Sequence, residues 1–254
     1  MRQLEAARSR ARRPQRRELL RIEGRPVPVT MKLNPRARRL IVKVHPSTGE
    51  VTVVAPSQRA LDRALDFAQS ESSWIARRLA RVPQPIPLRI GARIPLFGEE
   101  HLVVEGACGS APVEIARDAG RPVIRVSGRV EHAPRRILDF LKREARKVFL
   151  ARALELSERL GLRPTRITIR DTASRWGSCS TARALSFSWR LILAPDFVRD
   201  YVVAHEVAHM RHMNHGPRFW KLVEEAIGDI ERPQRWLATN GPMLHRYGPR
   251  KAEA

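Results

Sequence analysis

The sequence predicts an α+β fold with a strand-rich N-terminal half and a C-terminal half dominated by helices. Short segments of alternating apolar and polar residues predominate in the first half, which is typical of strands that bury one face. In the second half apolar residues recur every three or four positions, which indicates amphipathic helices. One of these helices contains the motif HExxH, and we expect a small antiparallel sheet beside it.

The chain is long enough for one large or two small domains. It has 254 residues, of which 43% are hydrophobic, so a sizeable core is available. We predict a basic, disordered tail over residues 1–22 and a strand-rich α+β domain over residues 23–132. The remaining domain, over residues 133–254, contains the HExxH motif.

In the N-terminal half, the pattern predicts hairpins and one helix. Alternating apolar residues on either side of a turn predict a hairpin over residues 40–53. A single helix is expected over about 57–80, with Ser57 as its N-terminal cap. Two further hairpins are expected around Gly98 and around residues 118–120, where glycine occurs in short polar turns.

In the C-terminal half, helices surround one expected strand. A long amphipathic helix should run from Pro134 to Gly161 and pack behind the HExxH helix. Residues 185–193 alternate with a period of two and predict a half-buried strand, whose edge could hold an extended peptide. The HExxH helix is expected over residues 196–213, and a further helix over 217–228.

The HExxH motif predicts a metal site. Residues four apart lie on one face of a helix, so His205 and His209 can present two imidazole nitrogens to one ion. Glu206 lies one residue off that face and can reach a water held by the metal, which is the position of a general base. His215, six residues after His209, would complete three ligands and leave a fourth position open. This is typical of catalytic zinc, with one Zn²⁺ per chain.

Two other ligand sets remain open from the spacing alone. His212 lies seven residues after His205 and three after His209, so on a continuing helix it could share their face. Alternatively, a carboxylate from the next helix, Glu224 or Glu225, could be the third ligand.

Several ordered blocks resemble a known family. They are residues 175–179 (RWGSC), 189–195 (WRLILAP), 201–209, 214–215 and 219–220. These blocks resemble the YgjP-like metallopeptidases, which are related to the SprT-like proteases, and looser similarity extends the resemblance to roughly residues 30–245. The resemblance implies a zincin-like fold for the C-terminal half and hydrolysis of peptide bonds. It also implies His205, His209 and His215 as zinc ligands and Glu206 as the catalytic acid/base.

Four further residues are candidates for substrate contacts or for orienting the ligand imidazoles. Arg175 and Trp176 belong to the RWGSC block, and Tyr201 lies one helical turn before His205. Arg175 and Tyr201 could stabilise an oxyanion. His212 is the fourth candidate, in addition to its alternative assignment as a ligand.

The formal charge of +22 suggests a second class of partner. Residues 1–40 contain 13 basic and 3 acidic residues, a net charge of +10. Such an arm attracts phosphate backbones, so a nucleic acid is a candidate partner beside the peptide or protein substrate. The alternative function is therefore a nucleic-acid-associated SprT-like protease, or a basic nucleic-acid-binding protein with a metal site. A competing explanation of the charge is that arginine enrichment reflects codon usage.

Composition also predicts the compartment. No run approaches the roughly 20 apolar residues needed to span a bilayer, and the arginine-rich start lacks the apolar core of a secretory signal. The chain's two cysteines, Cys108 and Cys179, are far apart and lack the spacing of metal ligands. A reducing environment fits this usage, so we predict a cytoplasmic protein with no membrane span.

Overall fold

The computed structural model describes residues 15–46, 48–172 and 175–248. The chain divides into two compact units, one up to Pro83 and one from Gln84 onwards. The division therefore falls well before residue 132, where the sequence pattern suggested a boundary. The reason is that the strands between residues 93 and 126 share one hydrophobic core with the C-terminal helices. The mixed α/β architecture, with strands concentrated in the first half and helices in the second, agrees with the predicted fold class.

The N-terminal unit is a four-stranded sheet with three short helices. The strand order is β1-β2-β4-β3, in which β2 and β4 are parallel and the other two pairs are antiparallel. The β3–β4 pair confirms the hairpin that was predicted over residues 40–53. The strands are β1 (Gln15–Ile22), β2 (Arg25–Leu33), β3 (Ile41–Val44) and β4 (Val51–Ala55).

The prediction of a disordered tail over residues 1–22 is wrong for residues 15–22, which form β1. Leu20 and Ile22 are buried in the core of the N-terminal unit, whereas Leu19 is exposed. This alternation of buried and exposed positions makes the segment a strand despite its arginines, because the apolar face is covered and the charged face is solvated. Residues 1–14 lie outside the described part of the chain.

The helix predicted over residues 57–80 is three helices. They are α1 (Gln58–Asp62), α2 (Ala64–Ser70) and α3 (Ser72–Ala80). The predicted cap is confirmed, because the Oγ of Ser57 accepts a hydrogen bond from the backbone N–H of Ala60 at 3.2 Å. The breaks occur at Arg63 and Glu71, whose ψ angles of 2° and 11° are outside the range of a regular helix. The two breaks allow successive short helices to follow the twisted sheet.

The C-terminal unit begins with a second four-stranded sheet. Its order is β5-β6-β8-β7, with β6 and β8 parallel. The antiparallel pairs β5–β6 and β7–β8 confirm the two hairpins expected around Gly98 and residues 118–120. The strands are β5 (Arg93–Leu96), β6 (Glu99–Glu105), β7 (Val113–Asp118) and β8 (Arg121–Val126).

A long helix, α4 (Ala133–Arg159), forms the centre of the C-terminal core. It agrees with the predicted helix from Pro134 to Gly161 and packs against the helix that carries HExxH. Its buried residues recur every four positions, which places them along one face. The ring of Phe149 on this face stacks on Phe187 with 5.4 Å between the ring centroids. The buried residues in this row are Ile137, Leu141, Ala145, Phe149 and Ala153.

The expected antiparallel sheet beside the metal helix is a mixed sheet. Its order is β10-β11-β9; β10 and β11 are antiparallel, but β11 and β9 are parallel. The reason is that β9 and β10 run in opposite directions, so that β11, which lies between them, is parallel to one and antiparallel to the other. The strands are β9 (Arg166–Arg170), β10 (Gly177–Cys179) and β11 (Ala184–Ser188).

The strand predicted over residues 185–193 ends at Ser188, and Trp189–Leu193 is a 3-10 helix. All five residues of this helix are buried, including Arg190. The side chain of Arg190 donates to the carboxylate of Asp171 and to the carbonyl of Tyr247. The prediction was wrong because apolar alternation cannot distinguish a half-buried strand from a short helix that is buried on all sides.

Three helices complete the C-terminal unit: α5 (Asp196–Ala208), α6 (Pro217–Ile227) and α7 (Glu231–Leu244). The structure confirms the helix predicted over residues 217–228 to within one residue. The helix predicted over 196–213 is shorter, because the chain leaves α5 after Ala208. Among the described residues, no helix combines the length and apolar composition that crossing a bilayer requires.

A glycine turn fixes the first hairpin of the C-terminal unit against the start of α5. The backbone N–H of Phe97 donates to the carbonyl of Ile192 at 2.8 Å. At Gly98, which has a φ of +81°, a Cβ would lie 2.9 Å from the Cα and Cγ atoms of Pro195. Gly120 has almost the same φ, +80°, but a Cβ there would meet no atom within 4 Å. The two glycines therefore separate the effect of backbone conformation from the effect of packing.

We expect Gly98→Ala to lower the free energy of unfolding of the C-terminal unit by about 1–3 kcal/mol more than Gly120→Ala does. Both substitutions place a side chain at positive φ, but only the first creates a clash with the backbone of Pro195. Urea unfolding followed by tryptophan fluorescence measures the difference, since four of the five tryptophans lie after residue 84. Equal losses for the two variants would contradict the packing explanation.

Candidate metal centre

The last turn of α5 carries the first two imidazoles. His205 lies inside the helix and His209 is the residue that caps it. Their ring centroids are 4.9 Å apart and the ring planes are nearly perpendicular, at 84°. The four-residue spacing on one helix therefore places both rings on one side of α5, as the motif requires.

The chain turns sharply after α5 and brings a third imidazole to the first two. The backbone N–H groups of Met210 and Arg211 each bond to a carbonyl three residues earlier, at 3.0 Å, which tightens the end of the helix. Gly216 then precedes α6, with Pro217 as its first residue. His215 lies in the corner between the helices, and its Nε2 atom is 3.1 Å from the Nε2 atom of His205. In His205, His209 and His215, one potential ligand atom of each imidazole lies within 4.8 Å of the other two.

This cluster fits a metal ion in geometry and in donor chemistry. Two nitrogens bound at 2.0–2.1 Å to one tetrahedral ion lie about 3.4 Å apart, close to the 3.1 Å between His205 and His215. Burial and the two neighbouring imidazoles lower the pKa of His205 to about 4, and burial also lowers the pKa of His209. Both rings are thus neutral near pH 7, the form that binds metal. Three imidazoles are a ligand set suited to zinc.

His212 contributes its backbone to the site. The Nδ1 atom of His209 is 3.1 Å from the carbonyl oxygen of His212. When Nδ1 donates its proton to that oxygen, the Nε2 atom of His209 carries the free lone pair, as a metal ligand must. The imidazole of His212 is not a member of the three-histidine cluster. Because α5 ends at Ala208, the continuing helix that would have placed this imidazole on the ligand face does not exist.

Aromatic residues of α6 surround the three imidazoles. The ring centroid of Phe219, which is fully buried, lies 4.6–4.9 Å from the ring centroids of all three histidines. The ring centroid of Trp220 lies 5.9 Å from that of His205 and 5.7 Å from that of His215. These contacts restrict rotation of the imidazoles. The sequence analysis identified Phe219 and Trp220 as apolar helix positions and as one of the blocks that resemble the family, but not as neighbours of the histidines, because contact with another element leaves no periodic signal.

The carboxylate of Glu206 is buried beside the cluster. Burial raises the pKa of this carboxyl to about 7, although the positive charge of Arg175 acts in the opposite direction. Strand β10 passes directly over the side chain: a Cβ on Gly177 would lie 2.5 Å from the Cγ and 2.6 Å from the Oε1 of Glu206. Only glycine leaves room for the carboxylate in this position. Gly177 is therefore a site residue that the sequence analysis noted only as part of a block.

Cys179, at the end of the same strand, remains a protonated thiol at neutral pH. Burial raises its pKa to about 11, and the nearby negative charge of Glu206 acts in the same direction. A reactive cysteine requires a lowered pKa, and the surroundings of this thiol act in the opposite direction. It packs against the core as a small apolar residue.

The candidate residues around the cluster have distinct surroundings. Arg175 is exposed, and it acts on Glu206 through its charge. The ring of Trp176 stacks on the ring of His245, with 4.7 Å between centroids. The hydroxyl of Tyr201 accepts a hydrogen bond of 3.1 Å from the Nε2 atom of Gln234 on α7. Thus Trp176 and Tyr201 connect the site to α7.

The alternative carboxylate ligands are not part of the cluster. Glu224 and Glu225 are exposed on α6, and Glu225 lies 3.9 Å from Lys221 in an ion pair on the helix surface. Among the described residues, the group of potential ligands around the motif consists of the three histidines.

Comparison with known proteins agrees with this arrangement. A family model described as YgjP-like, metallopeptidase domain, matches residues 38–240, which include the three histidines and Glu206. No significant match occurs among curated proteins or solved structures. The family description implies a hydrolase that uses a metal ion, and the three-histidine cluster offers a place for it. With about four-fifths of its length matched, the chain belongs to the YgjP-like family of metallopeptidase domains.

Proposed function

We propose that the protein is a zinc-dependent metallopeptidase that uses Glu206 as its catalytic acid/base. The observation that carries this proposal is the convergence of three imidazoles, with their ligand atoms within 4.8 Å, beside a buried carboxylate. A structural zinc site has four protein ligands, whereas a catalytic site has three and an open position. The cluster of three histidines supports the second type.

The chemistry follows from the positions of these groups. His205, His209 and His215 would hold the zinc ion, which would supply the Lewis acidity that allows water to lose a proton near neutral pH. Glu206 accepts that proton and later gives it to the leaving amine, as a general acid/base does. Its carboxylate is confined between α5 and β10 by the contact with Gly177.

The sheet beside α5 offers an edge for an extended substrate. The predicted edge, residues 185–193, is unsuitable because β11 is the central strand of its sheet. Strand β10 is an outer strand, and Gly177 at its start touches Glu206. A peptide that adds to β10 by backbone hydrogen bonds would therefore pass close to the acid/base residue.

The proposed partners of the charged arm are separate from this chemistry. Residues 1–14 lie outside the described part of the chain, and residues 15–22 belong to β1. The nucleic-acid-associated alternative is supported by the charge of +22 alone, which favours binding to any polyanion. We therefore keep peptide hydrolysis as the proposed function, and a nucleic acid partner and a cytoplasmic location as predictions.

Glu206→Gln tests the proposed function. The amide cannot accept a proton from water, so we expect the rate of peptide hydrolysis to fall by about 10²–10⁴ while zinc content and thermal stability stay unchanged. Digestion of a cell lysate, followed by mass spectrometry of new peptide termini, measures the activity. Glu224→Gln is the matched control, because Glu224 is exposed on α6 and lies outside the cluster. Full activity in Glu206→Gln would exclude the proposed mechanism.

Alanine substitution of each histidine tests the ligand set. We expect His205→Ala, His209→Ala and His215→Ala to lose bound zinc, since two imidazoles hold the ion much more weakly than three. His212→Ala should retain it, because His212 contacts His209 through its backbone carbonyl. Metal content by mass spectrometry of the purified variants is the measurement. Loss of zinc in His212→Ala with retention in His215→Ala would reverse the assignment.

Gly177→Ala tests the confinement of Glu206. The added Cβ would overlap the carboxylate at 2.5–2.8 Å, so the side chain of Glu206 must move. We expect hydrolysis to fall by at least about tenfold with zinc retained, because small displacements of a catalytic group are costly. Gly109→Ala is the control, since a Cβ there meets only a side-chain oxygen of Glu114, at 3.8 Å. Equal activities for the two variants would show that Glu206 tolerates displacement.

A further inference from the structure

The N-terminal unit contains a cavity that the metal chemistry does not use. Its volume is about 650 Å³, within the range of about 300–1,000 Å³ that is usual for ligand sites. The floor is apolar: Leu40, Ile41 and Val42 come from the chain that enters β3, and Phe67 and Trp74 come from α2 and α3. A binding partner therefore needs apolar side chains to fill it.

Positive charge surrounds this floor from two segments. Arg38 and Arg39 precede β3, and Arg63 lies between α1 and α2. All three are exposed, and in the described part of the chain none of them forms an ion pair. Glu71 supplies the single carboxylate of the lining. Exposed guanidinium groups without an internal partner are suited to bidentate contacts with carboxylates.

The strand beside the cavity is the outer strand of its sheet among the described residues. β3 is the outer strand of its sheet, since the order is β1-β2-β4-β3. Ile41 and Val42 of this strand both line the cavity. The backbone N–H and C=O groups on the outer side of an edge strand can pair with an added strand. An extended peptide could thus bind by its backbone and also place side chains in the cavity.

The same features disfavour a nucleic acid at this place. Stacking of bases requires aromatic rings with an open face, but the guanidinium of Arg78 lies 5.3 Å from the ring centroid of Trp74. Most of the other apolar residues of the lining are aliphatic and offer no stacking surface. Glu71 would also interrupt a basic track for successive phosphates.

We propose that this cavity is a docking site for an extended acidic segment of a partner protein, in which acidic residues flank apolar ones. The apolar side chains enter the floor, and the carboxylates contact Arg38, Arg39 and Arg63. Each exposed contact is weak by itself, so the affinity depends on several of them together with the buried apolar surface. The site lies in the N-terminal unit and requires neither the metal nor Glu206.

Binding of labelled peptides to the full chain tests this site. The probes are a fluorescein-labelled peptide of aspartate, glutamate, leucine and phenylalanine, the same peptide with asparagine and glutamine in place of the acids, and the same peptide with serine in place of the apolar residues. A labelled single-stranded DNA is the fourth probe. We expect fluorescence anisotropy to show saturable binding of the first peptide, with at least about tenfold weaker binding of the other two peptides and of the DNA.

Paired charge reversals distinguish the cavity from the general basic surface. We expect R38E/R63E to weaken binding of the acidic peptide by at least about tenfold, while R59E/R77E weakens it by less than about threefold. Arg59 and Arg77 are also exposed, on α1 and α3, but do not line the cavity, and both double variants change the net charge by the same amount. Circular dichroism confirms that each variant is folded.

Fluorescence of Trp74 provides a second readout that requires no charge change. The difference between wild type and Trp74→Phe isolates the emission of Trp74 from that of the other tryptophans. Bound acidic peptide should reduce acrylamide quenching of this emission, because the ring is part of the floor. Equal loss of binding in the two charge-reversal variants, unchanged quenching of Trp74, or preferential binding of the DNA would each overturn the proposal.

Discussion

The site depends on the burial of helix α5. Val198, Val203, Ala204, Val207 and Ala208 are fully buried, and the helix packs against α4, α6 and α7. A helix held on several sides cannot rotate, so the imidazoles of its last turn keep a constant direction. The early end of α5 is equally necessary, because it allows the chain to turn and return the third imidazole to the first. Burial of α5 thus holds the first two imidazoles in place, and its early end determines which imidazole joins them.

The buried charged side chains in and near this helix differ in whether they have hydrogen-bond partners. Arg190 and Arg199 have hydrogen-bond partners: the carboxylate of Asp171 for the first, the carboxylate of Asp196 and the carbonyl of Ala194 for the second. Glu206 forms no hydrogen bond or ion pair within the described residues, and burial raises the pKa of its carboxyl to about 7. Structural charges are therefore satisfied, whereas the carboxylate of the site is left available for a proton. This difference is typical of functional groups, which are held in place by packing without being neutralised.

The elements that the sequence predicted well are those with a local cause. The hairpins around Gly98 and residues 118–120 depend on short turns, and α4 depends on a long row of apolar residues on one face. The failures concern long-range effects. The sequence analysis assigned β1 to a disordered tail because the segment is rich in arginine. Its pairing with β2 and its burial cannot be read from composition. The 3-10 helix Trp189–Leu193 was predicted as strand, because total burial removes the pattern that distinguishes the two.

For the candidate site, the sequence by itself determined the chemistry: the types of donor, their spacing on one helix and the adjacent carboxylate are local properties of residues 205–215. Spacing alone left open which side chain would be the third member of the cluster, and the family resemblance implied His215. Only the tertiary structure shows which imidazole reaches the first two, because that depends on where α5 ends and how the next helix packs. The contacts of Phe219 with the imidazoles and of Gly177 with Glu206 were decided in the same way. They join residues distant in sequence, and packing across elements leaves no periodic trace in the chain.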